Sequence, residues 1–143
     1  EVACMLISMQ VVSDQEVGGL IRCLLVDDNA FNQKVFGMIF RKQGIELQVV
    51  IREHELISRV HCSSFSAIFL NLHMPRLNGF ELAAALQELL FPRCPPIIGL
   101  TVNRGFTPEE HFQHDDLAEI LTLPLTPGML RDCLQRQVER EAG

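Results

Sequence analysis

The sequence lacks the features that several functional classes require. No apolar run approaches the roughly 18–20 residues of a membrane span, so no direct membrane contact is expected. Net charge is −6, the wrong sign for a general nucleic-acid surface. The five cysteines, Cys4, Cys23, Cys62, Cys94 and Cys133, are odd in number, and no two stand at C-x-x-C spacing. Reduced thiols packed as small hydrophobes in an intracellular protein are the expectation. There is no internal repeat and no low-complexity tract. The chain begins at Glu1 without a Met, and an excised piece of something larger is expected.

What is present suits one globular unit. The 143 residues suffice for one compact domain with its own core. A hydrophobic share of 48% and a charged share of 21% argue against wholesale disorder.

The central stretch is Ala67-Ile68-Phe69-Leu70-Asn71-Leu72-His73-Met74-Pro75. Four apolar residues lead to a polar one, a turn and a proline. A buried central strand reads this way when it delivers one side chain to a sheet edge. Cys23-Leu24-Leu25-Val26-Asp27-Asp28 has the same form and ends in two carboxylates. In open parallel sheets, ligands bind beyond the carboxyl ends of the strands.

In chain order, residues 1–20 form an N-terminal extension and linker, with Gly18-Gly19 as the break. Residues 1–12 are mostly apolar, and either belong to an upstream domain or pack on the outside of this one. Residues 21–143 form the domain proper. Cys23–Val26 is the first strand. Asn29 caps a helix that runs to Gln43 and stops at Gly44, with Phe31, Val35, Met38 and Ile39 at core spacing. Ile45–Ile51 is the second strand. A short helix follows with Leu56, Ile57 and Val60 inward. Ala67–Leu70 is the third strand, and Asn78-Gly79 a turn. Glu81–Leu90 is a helix burying Leu82, Leu86 and either Leu89 or Leu90. Ile97–Leu100 is the fourth strand. Thr107-Pro108-Glu109-Glu110 starts a short helix with a capping box. Glu119–Leu123 is the fifth strand. Thr126-Pro127 starts the last helix, with Leu130, Cys133 or Leu134, and Val138 inward. Strands alternating with helices define a doubly wound α/β parallel sheet with right-handed crossovers.

The histidines are scattered. His111 and His114 stand at i, i+3, but no third ligand of known geometry accompanies them, so a solvated face is expected rather than a metal site.

Four motifs, in order and correctly spaced, carry a family resemblance over residues 22–140. Leu25-Val26-Asp27-Asp28-Asn29-Ala30-Phe31-Asn32-Gln33-Lys34-Val35 matches the form DDNxxNxxV. Leu72-His73-Met74-Pro75-Arg76-Leu77-Asn78-Gly79 matches the turn usually written MPxxDG. Ile97-Ile98-Gly99-Leu100-Thr101 matches a fourth strand ending in Thr, and Leu123-Pro124 falls where Lys-Pro is usual. The chain resembles the receiver domain of two-component response regulators, of the type attached to hybrid sensor histidine kinases. The resemblance implies the flavodoxin-like five-stranded fold, strand order 2-1-3-4-5. It also implies a phosphoryl group passed from a phosphohistidine to an Asp carboxylate, with Mg²⁺ held by hard oxygen ligands. Asp27, Asp28 and the His73 backbone carbonyl match the metal-ligand positions. Thr101 matches the phosphoryl-gripping hydroxyl.

Three positions depart from that pattern. Asn71 stands at the phosphoacceptor position, and a carboxamide is neutral and a poor nucleophile. Leu123 stands at the Lys position. Ile120 stands where the switch aromatic is expected. Three coordinated losses read as a natural pseudo-receiver rather than one blocking substitution. Asp27 and Asp28 are then structural remnants or a weak Mg²⁺ site, with no other cofactor expected.

The function implied is a non-enzymatic signalling module of a hybrid histidine kinase protein. It would be cytoplasmic, including as part of a membrane-anchored sensor. Its partners would be the kinase core or other domains of its parent, a histidine phosphotransfer protein, or a second copy. Phe36 and Phe40, at i, i+4 on the first helix, are the candidate docking anchor; alternatively they widen the buried stripe. Two other readings are a receiver phosphorylated elsewhere, at Ser66, at Thr101 or at a deamidated Asn71, and a flavodoxin-like small-ligand binder. The latter lacks a Gly-rich phosphate loop after the first strand.

Overall fold

The computed structural model describes residues 21–75, 77–102 and 116–142. The extension at residues 1–20, the helix expected from Thr107 and the His111/His114 pair lie outside them.

The elements are β1 (Ile21–Val26), α1 (Ala30–Lys42), β2 (Ile45–Val50), α2 (Glu53–Cys62), β3 (Ala67–Asn71), β4 (His73–Met74), β5 (Leu77–Asn78), α3 (Gly79–Leu90), β6 (Ile97–Thr101), β7 (Glu119–Thr122) and α4 (Pro127–Ala142). The main sheet runs β2-β1-β3-β6-β7, and every pair in it is parallel. With β4 and β5 set aside as a two-residue hairpin, this is the doubly wound order 2-1-3-4-5.

Side chains alternate across a strand, and that alternation divides the core in two. Cys23, Leu25, Ala67, Phe69, Ile98 and Leu100 join Phe36, Phe40 and Leu130 on the face covered by α1 and α4. Leu24, Val26, Ile68, Leu70 and Ile97 join Leu56, Leu82 and Leu86 on the face covered by α2 and α3. Central strands buried on both sides are therefore continuous apolar runs, which is why Ala67–Leu70 was legible as one.

Helix α1 corrects two expectations. Phe36 and Phe40 are buried and are not an exposed docking anchor. Phe40 lies edge-on to Phe69 at 5.2 Å between ring centroids. Phe31 and Met38, expected inward, are 72% and 54% exposed. The reason is rotation. At 3.6 residues per turn, Val35, Ile39, Phe36 and Phe40 share one arc, while Phe31 and Met38 lie roughly 140–200° round from Phe36. The sheet takes the edge of that arc where the two large rings sit. The same shift of one position leaves Ile57 and Leu89 exposed, while Leu56 is buried and Val60 and Leu90 pack against the core. In α4 both Cys133 and Leu134 are buried.

The helix starts follow local hydrogen bonding. Asn29 Oδ1 accepts from the Asn32 N–H, and α1 ends before Gly44, whose φ is 75°. Asn78 is a cap rather than a free turn: its Oδ1 accepts from the Phe80 and Glu81 N–H groups, so α3 begins at Gly79, ahead of the expected Glu81. Thr126 Oγ1 accepts from the Met129 N–H at the start of α4. Leu123–Pro124 is cis.

Leu72, one residue past the end of β3, fits between two glycines. A Cβ at Gly79 would meet Leu72 Cα at 2.8 Å, and one at Gly99 would meet the tip of the Leu72 side chain at 2.9 Å. Backbone cannot yield as a side-chain tip can. Gly79→Ala is therefore expected to cost about 1–3 kcal/mol and Gly99→Ala less, read as midpoints of urea unfolding.

Cys23 and Cys133 are free thiols buried in the core. Burial pushes the Cys133 thiol up to about 12, with the nearby Glu119 charge adding to the shift, and pushes Cys23 higher still. At neutral pH both thiols therefore stay protonated and poorly nucleophilic. Native protein treated with a maleimide should keep both thiols unmodified, and urea should expose them. Rapid native labelling of either would contradict their place in the core.

Candidate functional site

The site is built by register. Cys23 pairs with Ala67 and Leu25 with Phe69. Continuing that parallel pairing past the strand ends sets Asp27 beside Asn71, both on the α1 side of the sheet. The side chains meet there: Asn71 Nδ2 donates to Asp27 Oδ1 at 3.1 Å.

Asp27 is fully buried. A buried carboxylate must be hydrogen-bonded or otherwise compensated. Its Oδ1 also accepts from the Asn29 N–H at 2.9 Å, and its Oδ2 from Asn32 Nδ2 at 3.1 Å. Gln33 Nε2 donates to the Asp27 backbone carbonyl at 2.8 Å. All of these donors are neutral. Asp28, the next residue, is exposed.

Asn71 has one orientation that satisfies both neighbours. On one side stands the Asp27 carboxylate, an acceptor. On the other stands the His73 N–H, a donor that reaches Asn71 Oδ1 at 2.8 Å. The amide nitrogen must therefore face Asp27 and the amide oxygen must face His73. Beyond it, His73 Nε2 lies 2.6 Å from Thr101 Oγ1. Thr101 ends β6 and is 1% exposed. A chain of hydrogen bonds thus runs along the sheet edge from β1 through β3 to β6.

The two other departures also have places. Leu123 is 9% exposed and packs in the apolar cluster with Leu121, Leu125 and Leu130. Its backbone N–H donates to the Thr101 carbonyl at 2.7 Å, so the position adjoins the site while its side chain supplies no charge. Ile120 is half-buried against the opposite core cluster.

The sequence reading places Asp27, Asn71, Thr101 and Leu123 at one edge, and the structure brings them there. Two contributions go beyond it. Asn32, a motif position, is a direct ligand of the Asp27 carboxylate. His73, weighed only for its backbone carbonyl, reaches Thr101 with its ring. The DDNxxNxxV spacing carries the first signal; nothing in the local pattern carries the second.

Mg²⁺ prefers near-octahedral oxygen acceptors at about 2.0–2.1 Å. Among the described residues, no three His, Cys, Asp or Glu side chains cluster to hold a metal. Both Asp27 oxygens carry N–H donors, and the Asn71 oxygen is taken by His73. As oriented, the Asn71 amide turns its nitrogen, which cannot ligate a cation, toward the Asp27 carboxylate.

Comparison with known proteins agrees with this architecture. The response regulator receiver domain family matches residues 23–135. The chain belongs to that family. Among curated relatives, hybrid signal transduction histidine kinase I of Dictyostelium discoideum is 23% identical over 124 residues, covering 82% of this chain and 7% of the kinase. The signal transduction histidine-protein kinase BarA of Shigella flexneri is 22% identical over 113 residues, covering 79% of this chain and 12% of BarA. The chain thus spans a small part of the relatives it matches. Among solved structures, the receiver domain of sensor histidine kinase PA1611 from Pseudomonas aeruginosa, with magnesium coordinated in its active site cleft, is 25% identical with a TM-score of 0.73, covering 85% of this chain and 99% of that one. Full-length ShkA is 28% identical with a TM-score of 0.67, and this chain covers 25% of it. No helix among the described residues is long and apolar enough to cross a membrane.

Proposed function

We propose that this receiver domain accepts no phosphoryl group and acts through protein contacts within a hybrid histidine kinase signalling protein. The observation that carries the reading is the Asn71 carboxamide at the end of β3, its nitrogen donating to Asp27. Phosphoryl transfer to a receiver needs a carboxylate oxygen to attack phosphorus. An amide oxygen is neutral, and here it already accepts the His73 N–H. The clamp around it is altered as well. Leu123 offers no cation for phosphoryl charge, and the Thr101 hydroxyl is engaged by His73.

The alternative acceptors fare worse. Thr101 is buried. Ser66 precedes β3, at the end of the sheet remote from Asp27, and its N–H is bonded to the Arg22 carbonyl. The domain's partners are the kinase core or neighbouring domains of its parent, a histidine phosphotransfer protein, or a second copy, and its setting is cytoplasmic. No nucleic acid is bound, and no reaction is catalysed.

Beryllofluoride with Mg²⁺ mimics an acyl phosphate at receiver carboxylates and provides the test. The amide NMR spectrum is expected to stay unchanged on its addition. Saturable shifts of the Thr101 and Leu123 amides would sink the proposal.

A further inference from the structure

We infer that the Asn71 carboxamide stands in for a cation at this sheet edge, so that the domain holds its acidic pocket together without a divalent metal. The inference deepens the reading of the same site and rests on it only for the role of position 71.

The buried Asp27 charge needs compensation. Two of its three side-chain partners are local, the Asn29 N–H and Asn32 Nδ2, from two and five residues downstream. Asn71 Nδ2 comes from the neighbouring strand, 44 residues away. Among the described residues it alone ties the carboxylate that follows β1 to β3. Its other end receives the His73 N–H, and the His73 ring continues to Thr101 on β6. A divalent ion beside Asp27 would meet the Asn71 nitrogen face, because the oxygen face is turned to His73.

Substitution by Asp separates the two roles of this side chain. A carboxylate at position 71 keeps the oxygen that His73 N–H needs. On the other side it replaces an N–H donor with a second anionic oxygen, at the distance now spanned by a 3.1 Å hydrogen bond. Two carboxylates that close repel unless a cation lies between them. Asn71→Asp therefore makes the stability of the fold respond to Mg²⁺, whereas that of the native chain does not.

The experiment is thermal unfolding of the 143-residue chain and of Asn71→Asp, each with chelator or with about 10 mM MgCl₂ at matched ionic strength. The native chain is expected to melt within about 1 °C of the same temperature in both. Asn71→Asp is expected to melt about 5–10 °C lower in chelator and to recover much of that loss with Mg²⁺. Adding Asp28→Ala should abolish the recovery, because it removes the exposed carboxylate that would complete the ion's shell. A saturable Mg²⁺ stabilisation of the native chain overturns the inference. So does an Asn71→Asp variant as stable in chelator as the native chain. If Asn71→Asp does not fold, the native chain alone decides through its Mg²⁺ response. A native chain that binds Mg²⁺ but gains no phosphoryl mass defeats this inference and leaves the proposed function standing; a phosphoryl adduct defeats the function itself.

Discussion

Asn71→Asp alone is expected to leave the domain nearly refractory to phosphorylation, whereas Asn71→Asp with Leu123→Lys should be phosphorylated at least about 100-fold faster. The single substitution restores a carboxylate in the right place, because the β1–β3 register positions residue 71 whatever its side chain. It does not restore the positive charge that stabilises three phosphoryl oxygens as the bond to the donor breaks. Leu123 packs among Leu121, Leu125 and Leu130, and its own side chain brings no charge to the edge. A Lys there can lay its stem along that apolar surface and bring its ammonium to the rim. Intact mass against time, with a small phosphodonor and Mg²⁺, separates the two variants. Rapid, stoichiometric phosphorylation of the single variant would mean that Leu123 is no obstacle.

Phe40→Ala is expected to destabilise the domain by about 3–5 kcal/mol, a lowering of the melting temperature by roughly 10–20 °C. The ring is fully buried, edge-on to Phe69, in the cluster that joins α1 to β1 and β3. That loss is a large share of the stability such a domain has, about 5–15 kcal/mol. Phe31→Ala, on the exposed side of the same helix, should change stability by no more than about 0.5 kcal/mol. The contrast separates two roles for apolar residues on one helix. Were Phe40 a docking anchor, its removal would spare folding and reduce binding only. Urea unfolding of both variants discriminates, and a Phe40→Ala domain of native stability would contradict the packing described.

The strand skeleton is legible because each central strand is buried on both faces and so appears as an unbroken apolar run. Asn71 stands out for the same reason: it is the first polar residue after such a run, and Asp27 follows the matching one. Their meeting follows from a parallel register that neither run states by itself. The rotation of α1 is less legible. Val35, Phe36, Ile39 and Phe40 make an arc wide enough that either edge could face the sheet, and only the space opposite Phe69 decides. Asn78 reads equally as a turn residue and as a helix cap until the Phe80 and Glu81 N–H groups are seen to need an acceptor. The His73–Thr101 contact joins residues 28 apart through a ring, and no periodicity encodes it.

The central claim is that this receiver carries no acyl phosphate, and intact mass tests it most directly. The native chain is incubated with Mg²⁺ and either a small phosphodonor or a phosphorylated histidine phosphotransfer domain, then weighed. The expected spectrum is that of the unmodified chain in both. A stoichiometric gain of one phosphoryl group, labile to hydroxylamine as an acyl phosphate is, would contradict the claim.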